Sequence, residues 1–136
     1  MVAYSFHKRF APAIERGTKD GTIRADRKRH ARPGEAMQLF TSMRTRYCRL
    51  LGAPRCVSVN PIRLDFPNGR IEIGDAALPG WYQNPSYQLD SFAQRDGFDD
   101  WADMRAFWAE HHPATPIFSG FQIRWDADHF LRRAAV

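Results

Sequence analysis

The chain is poor in the features that identify most enzymes from sequence. It has only two cysteines, Cys48 and Cys56, in 136 residues. Two cysteines make neither a disulfide framework nor, at this spacing, a zinc site. Both stand in apolar, strand-like runs, so they read as small buried hydrophobes. The chain has no run of about 18 apolar residues, which excludes a membrane-crossing helix. The opening "MVAYSFHKRF" lacks the apolar stretch of a secretory leader, so a cytoplasmic protein is expected. There is no phosphate-binding Walker loop, GxGxxG, GxSxG or HExxH. Internal repeats and low-complexity segments are likewise missing.

Two features are abundant. Aromatic residues make up 13% and hydrophobic residues 43% of the chain, which suits a folded globular protein. Positive charge is concentrated at one end. Residues 1–49 hold 12 of the 20 Lys and Arg and four acids (Glu15, Asp20, Asp26, Glu35), a balance of +8; the remainder balances at −3. Such asymmetry is read either as an ordinary basic face or as a surface for a polyanion. The length fits a single domain over 1–136, with a core over 1–125 and a tail or short helix over 126–136.

The pattern of apolar residues predicts α+β. "AYSF" at 3–6 reads as a strand. "KRFAPAIERG" at 8–17 reads as a short helix, with Pro12 in its first turn and Gly17 at its end. After a "KDG" turn, "TIRA" begins a strand. Further strands are expected over "AMQLFTSM", weakly over "RYCRLLG", and over "RCVSVNPIRLDF", where Pro61 suggests an edge or a bulge. Asn68-Gly69 signals a hairpin. Residues 75–87, with Trp81 and Tyr82, read as a loop. Leu89, Phe92 and Ala93, then Trp101, Met104 and Trp108, carry helical spacing. Asp99 and Asp100 suit the start of the second helix. "IFSGFQIRW" at 117–125 reads as a closing strand. Five or six short strands with an early helix and a late helical hairpin predict a small antiparallel or mixed barrel with helices at its mouths.

The candidate site is "GTKDGTIR", residues 17–24. On a strand, Thr22 and Arg24 share one face and Ile23 takes the other. Lys19 lies on the turn before them. The three side chains offer donors for a phosphate, a carbonyl or a base edge. Lys19 is either a solvated turn lysine or, if buried among cations, a base able to deprotonate Thr22 or a water. His7 and His30 stand alone, and the adjacent His111 and His112 would diverge on a helix. None suggests a metal site.

The chain resembles the ASCH family of PUA-like barrels. The resemblance is carried by "SFHKRFAPAIERGTKDGTIR", with F-x-x-R-F followed by G-x-K-x-x-T-I-R. It continues in "RPGE" and in "FAQRDGFDDWADMRAFW", over roughly residues 4–110. It implies a small β-barrel with a cleft lined by the lysine–threonine–arginine segment, and binding of RNA or a modified nucleoside. One small branch of the family hydrolyses the amide of N4-acetylcytidine without a metal or other cofactor. Carried over residue by residue, the resemblance implies Lys19 as base, Thr22 as nucleophile and Asp96 as supporting carboxylate. It also implies Arg24, Arg9 and Phe6 as substrate contacts. That branch has Glu at the position of Asp96, so the carboxylate here is one methylene shorter. The cations Arg27, Lys28 and Arg29 would form a rim for nucleic acid. Trp81, Tyr82 or Phe6 would stack on the base. A modified-base or RNA reader without catalysis, and a metal-independent ribonuclease, are the alternatives. No membrane partner is expected.

Overall fold

A computed structural model describes residues 1–74 and 86–134; residues 75–85, which include Trp81 and Tyr82, lie outside the described residues. The described residues form a mixed α+β structure of two sheets and four α-helices.

Strand β1 (Val2–Phe6) buries Val2, Tyr4 and Phe6, every second residue. It pairs in parallel with β3 (Met37–Thr41), which buries Met37, Leu39 and Thr41 by the same alternation. Antiparallel β4 (Arg49–Gly52) completes the first sheet, in the order β1-β3-β4. The second sheet runs β2-β7-β5-β6, from β2 (Gly21–Arg24), β7 (Ile117–Trp125), β5 (Cys56–Asp65) and β6 (Arg70–Ile73). The predicted hairpin joins β5 to β6, with Gly69 at φ 61°. Asp65 stabilises this turn by accepting from Asn68 N–H at 3.1 Å.

Two of the sequence expectations are corrected here. Pro61 does not mark an edge, since β5 lies between β7 and β6. Its carbonyl accepts from Gly74 N–H at 2.9 Å. In an antiparallel ladder a residue's nitrogen and carbonyl point to the same side, so the donorless proline nitrogen faces the place where β6 has ended at Ile73. Cys56 is buried as expected, but Cys48 is exposed.

The described strands form two sheets that meet without merging into one closed sheet. At one end, Ala36 bridges Arg55, Met37 N–H donates to Pro54 O at 2.8 Å, and Cys56 N–H donates to Glu35 O at 2.8 Å. Elsewhere the free edge of β1 is satisfied by side chains. Arg24 Nη2 donates to Ser5 O at 2.6 Å, and Arg27 Nη1 to Ala3 O at 3.4 Å. Buried Tyr4 adds a third tie: its hydroxyl accepts from Ala31 N–H at 3.0 Å and lies 2.9 Å from His30 Nδ1. The Ala25 carbonyl can only accept, so His30 Nε2 donates to it at 3.0 Å, and in the neutral ring Nδ1 then accepts from the Tyr4 hydroxyl.

The early helix is a 3₁₀ turn (Lys8–Phe10) running into α1 (Ala11–Arg16), with Pro12 in its first turn and Gly17 at φ 80° as the cap. The two late helices are α2 (Ser86–Arg95) and α3 (Trp101–His111), separated by Gly97 at φ 98°. Asp100 caps α3, accepting from Asp103 N–H at 2.8 Å. The segment expected as tail or short helix contains a helix, α4 (Asp128–Ala134). It docks through buried Phe130 against Gly52, where an added Cβ would lie 2.6 Å from the Phe130 ring. Among the described residues, no helix is long and apolar enough to cross a membrane.

Candidate functional site

Gly17 ends α1 in the left-handed conformation that glycine adopts at little cost. The next two backbone N–H groups, of Thr18 and Lys19, both donate to Ala13 O, at 3.0 and 3.1 Å. This cap turns the chain inward, so Lys19 leaves the helix pointing into the protein and is 3% exposed. A solvated turn lysine is thereby excluded. Strand β2 follows, with Gly21 packed against β7, where an added Cβ would lie 3.2 Å from Ile123 O. Thr22 and Arg24 share a face, as strand alternation requires, and Arg24 Nε donates to Thr22 Oγ1 at 2.9 Å.

Asp96 comes from the other side, just beyond α2. Its carbonyl accepts from Lys19 Nζ at 2.6 Å and its carboxylate Oδ1 at 3.3 Å. The amine also lies 5.0 Å from the Phe10 ring centroid and 5.7 Å from that of Phe6. Burial penalises both charges. It holds the Lys19 amine below its ordinary value, against the pull of Asp96, and raises the Asp96 carboxyl, against the pull of Lys19. Burial therefore pushes both groups toward their neutral forms. A buried amine pushed toward its neutral form can serve as a general base, and Thr22 lines the same cleft. Arg24 adds to it. A cation donating to Thr22 Oγ1 stabilises negative charge there, and leaves the hydroxyl proton to point elsewhere.

Lys19, Thr22, Arg24 and Asp96 line one cleft of about 480 Å³. Phe6 lines it too, with the Arg24 guanidinium 4.8 Å from its ring centroid. Arg9 is not brought there. Its Nη2 donates to Asp103 Oδ2 at 2.6 Å, and its guanidinium packs on Phe10, Phe98 and Phe107. This bond holds the Asp103 carboxyl below its ordinary range. Of the expected cationic rim, Arg27 reaches back to β1 and lies over the Tyr4 ring, and Arg29 is bonded to Glu35. Lys28 is exposed. The base-stacking roles expected of Trp81 and Tyr82 fall outside the described residues.

The opposite wall was not read from the sequence. Phe98, Phe107, Trp108, His112 and Phe118 line it; of these, only Trp108 belongs to the helical pattern read from the sequence. His112 packs on Trp108 at 4.6 Å, and burial lowers its basicity, with His111 adding to this. The signal was present in the aromatic density of α3, but aromatic spacing alone does not separate a cleft wall from a core. Among the described residues no three His, Cys, Asp or Glu side chains converge as metal ligands would.

Comparison of the chain with family models, with curated proteins and with solved structures finds no match.

Proposed function

We propose that the chain is an ASCH domain of the PUA-like type, and that it hydrolyses the amide of N4-acetylcytidine or a related N4-acylated cytosine nucleoside. The observation that carries this reading is the buried pairing of Lys19 with Asp96, 3.3 Å between amine and carboxylate, in the cleft that also holds the Thr22–Arg24 hydrogen bond. Asp96 lies beside the lysine and not at the start of α3, a role filled by Asp100.

In this reading neutral Lys19 takes the Thr22 hydroxyl proton as Oγ1 attacks the acyl carbonyl. The C–N4 bond breaks, and the Lys19 ammonium returns the proton to the departing cytosine amine. A water then attacks the acyl-threonine, giving its proton to Lys19. The carboxylic acid leaves and Thr22 recovers its hydroxyl. Asp96 stabilises the ammonium between these transfers. Arg24 already bonds Thr22 Oγ1 and Ser5 O, so it acts through the nucleophile and lowers the cost of its alkoxide. Phe6 offers a ring face for the pyrimidine.

The test is incubation with N4-acetylcytidine, following release of cytidine, with Lys19→Ala alongside. Conversion by the parent and none by the variant is expected. A folded parent that releases no cytidine overturns the hydrolase and leaves the base-reading alternative, whose RNA affinity would fall steeply with salt.

A further inference from the structure

Residues 19 and 20 face residues 95–97 in three distinct contacts. The Lys19 amine meets Asp96. The Lys19 Cδ lies so close to Gly97 that an added Cβ would come within 2.8 Å. The Asp20 carboxylate accepts from Arg95 Nε and Nη2, both at 3.1 Å, and from Arg124 Nη2 at 2.7 Å. Arg95 is the last residue of α2, and Arg124 lies on β7 opposite Gly21. One carboxylate thus ties the end of α2 to the second sheet. It does so one residue from Lys19 along one strand of chain, and one residue from Asp96 along the other.

Asp20, Arg95 and Arg124 themselves line a second cavity of about 270 Å³, with Phe92, Ile73 and Gln122 among its other walls. Asp96 borders both this cavity and the main cleft. Among the described residues, the hydrogen bonds of Asp20 to its two arginines tie the helix end directly to the sheet on this side.

We propose that Asp20, gripped by Arg95 and Arg124, is a positioning residue that sets the Lys19 amine against Asp96. Its effect on rate rests on the hydrolase reading above; its effect on the amine does not. Arg95 is 59% exposed and Asp20 20% exposed, so the pair contributes little to stability. Its two parallel hydrogen bonds fix geometry instead. A displacement of about 1 Å at a reacting group costs on the order of 100-fold in rate. The signature is therefore a loss of turnover with little loss of stability.

Arg95→Gln is the decisive variant, because it leaves Asp20 and its charge in place. With N4-acetylcytidine, kcat should fall by about 10-fold or more while KM and Tm stay near the parent's. Arg95→Lys should recover part of the loss, and Asp20→Asn combined with Arg95→Gln should be little worse than either alone. The protein has three lysines, so the Cε signal of Lys19 can be followed by NMR in protein carrying ¹³C-lysine. Its position and titration should move in Arg95→Gln. An unchanged Lys19 signal with full kcat overturns the proposal, as does a large fall in Tm with the signal unmoved. If the parent shows no turnover, the hydrolase reading fails and the Lys19 signal alone decides the clamp.

Discussion

The Lys19 amine lies closer to the backbone carbonyl of Asp96, at 2.6 Å, than to its carboxylate, at 3.3 Å. A backbone oxygen cannot titrate. The carbonyl therefore orients the amine whatever its protonation state, and the carboxylate adjusts its charge. Asp96→Asn separates the two effects, because the carbonyl remains. Without the carboxylate, the largest of the factors raising the Lys19 amine toward its ordinary value is lost, and only the weaker pull of Asp20 remains. In the proposed mechanism the rate needs the neutral amine, so the rising limb of the pH–rate profile should move to lower pH. Maximal kcat should drop, since the ammonium intermediate loses its counter-charge. A limb that moves to higher pH would contradict this.

Asp96→Glu should be tolerated. The added methylene brings a carboxylate toward an amine that now reaches its counter-charge only at 3.3 Å, and the cleft of about 480 Å³ has room for it. Turnover at or above the parent's is expected in the cytidine-release assay.

Thr22→Val keeps the shape of the side chain and removes its oxygen. The buried face of Arg24 Nε then loses its acceptor, a loss of about 1–3 kcal/mol in a denaturant titration. Cytidine release should cease. Thr22→Ser keeps the oxygen and should retain measurable turnover, with an acyl adduct on residue 22 visible by mass spectrometry.

Gly97→Ala tests the crowding around the lysine. Gly97 sits at φ 98°, and an added Cβ would lie 2.8 Å from Lys19 Cδ and 3.0 Å from Phe10 Cδ1. Backbone strain of about 1–3 kcal/mol is expected by thermal unfolding. Turnover should fall on the order of 100-fold as the amine is displaced.

Tyr4→Phe addresses the joint between the sheets. It leaves the ring in the core but strips Ala31 N–H and His30 Nδ1 of their shared partner. The expected loss is about 1–3 kcal/mol of stability, read from chemical denaturation. The Thr22–Arg24 pair is untouched, so kcat should stay close to the parent's.

Local features were legible in the sequence because they depend on neighbours. Alternation marks β5 and β7, the Asn68-Gly69 turn marks a hairpin, and Gly17 marks the end of α1. Side-by-side placement of Thr22 and Arg24 followed from strand geometry alone. Lys19 and Asp96 lie 77 residues apart, and without the family resemblance no spacing links them. Arg9 was expected at the substrate; instead it found Asp103, 94 residues away, which local reading gives no means to see. Pro61 misled because its cost depends on where the neighbouring strand stops. Cys48 misled because an apolar run does not say which of its residues face outward.

Arg24 binds the Thr22 hydroxyl with one nitrogen and the Ser5 carbonyl on the free edge of β1 with another. The group that bonds the Thr22 hydroxyl is thus also a fastener between the two sheets. In the reading proposed here, a chain whose sheets have not yet met has a lysine, a threonine and an aspartate, but no oriented hydroxyl. Reactivity is then gained with assembly and lost with the first opening of the joint, so a partly folded chain would be inert toward the amides it later cleaves.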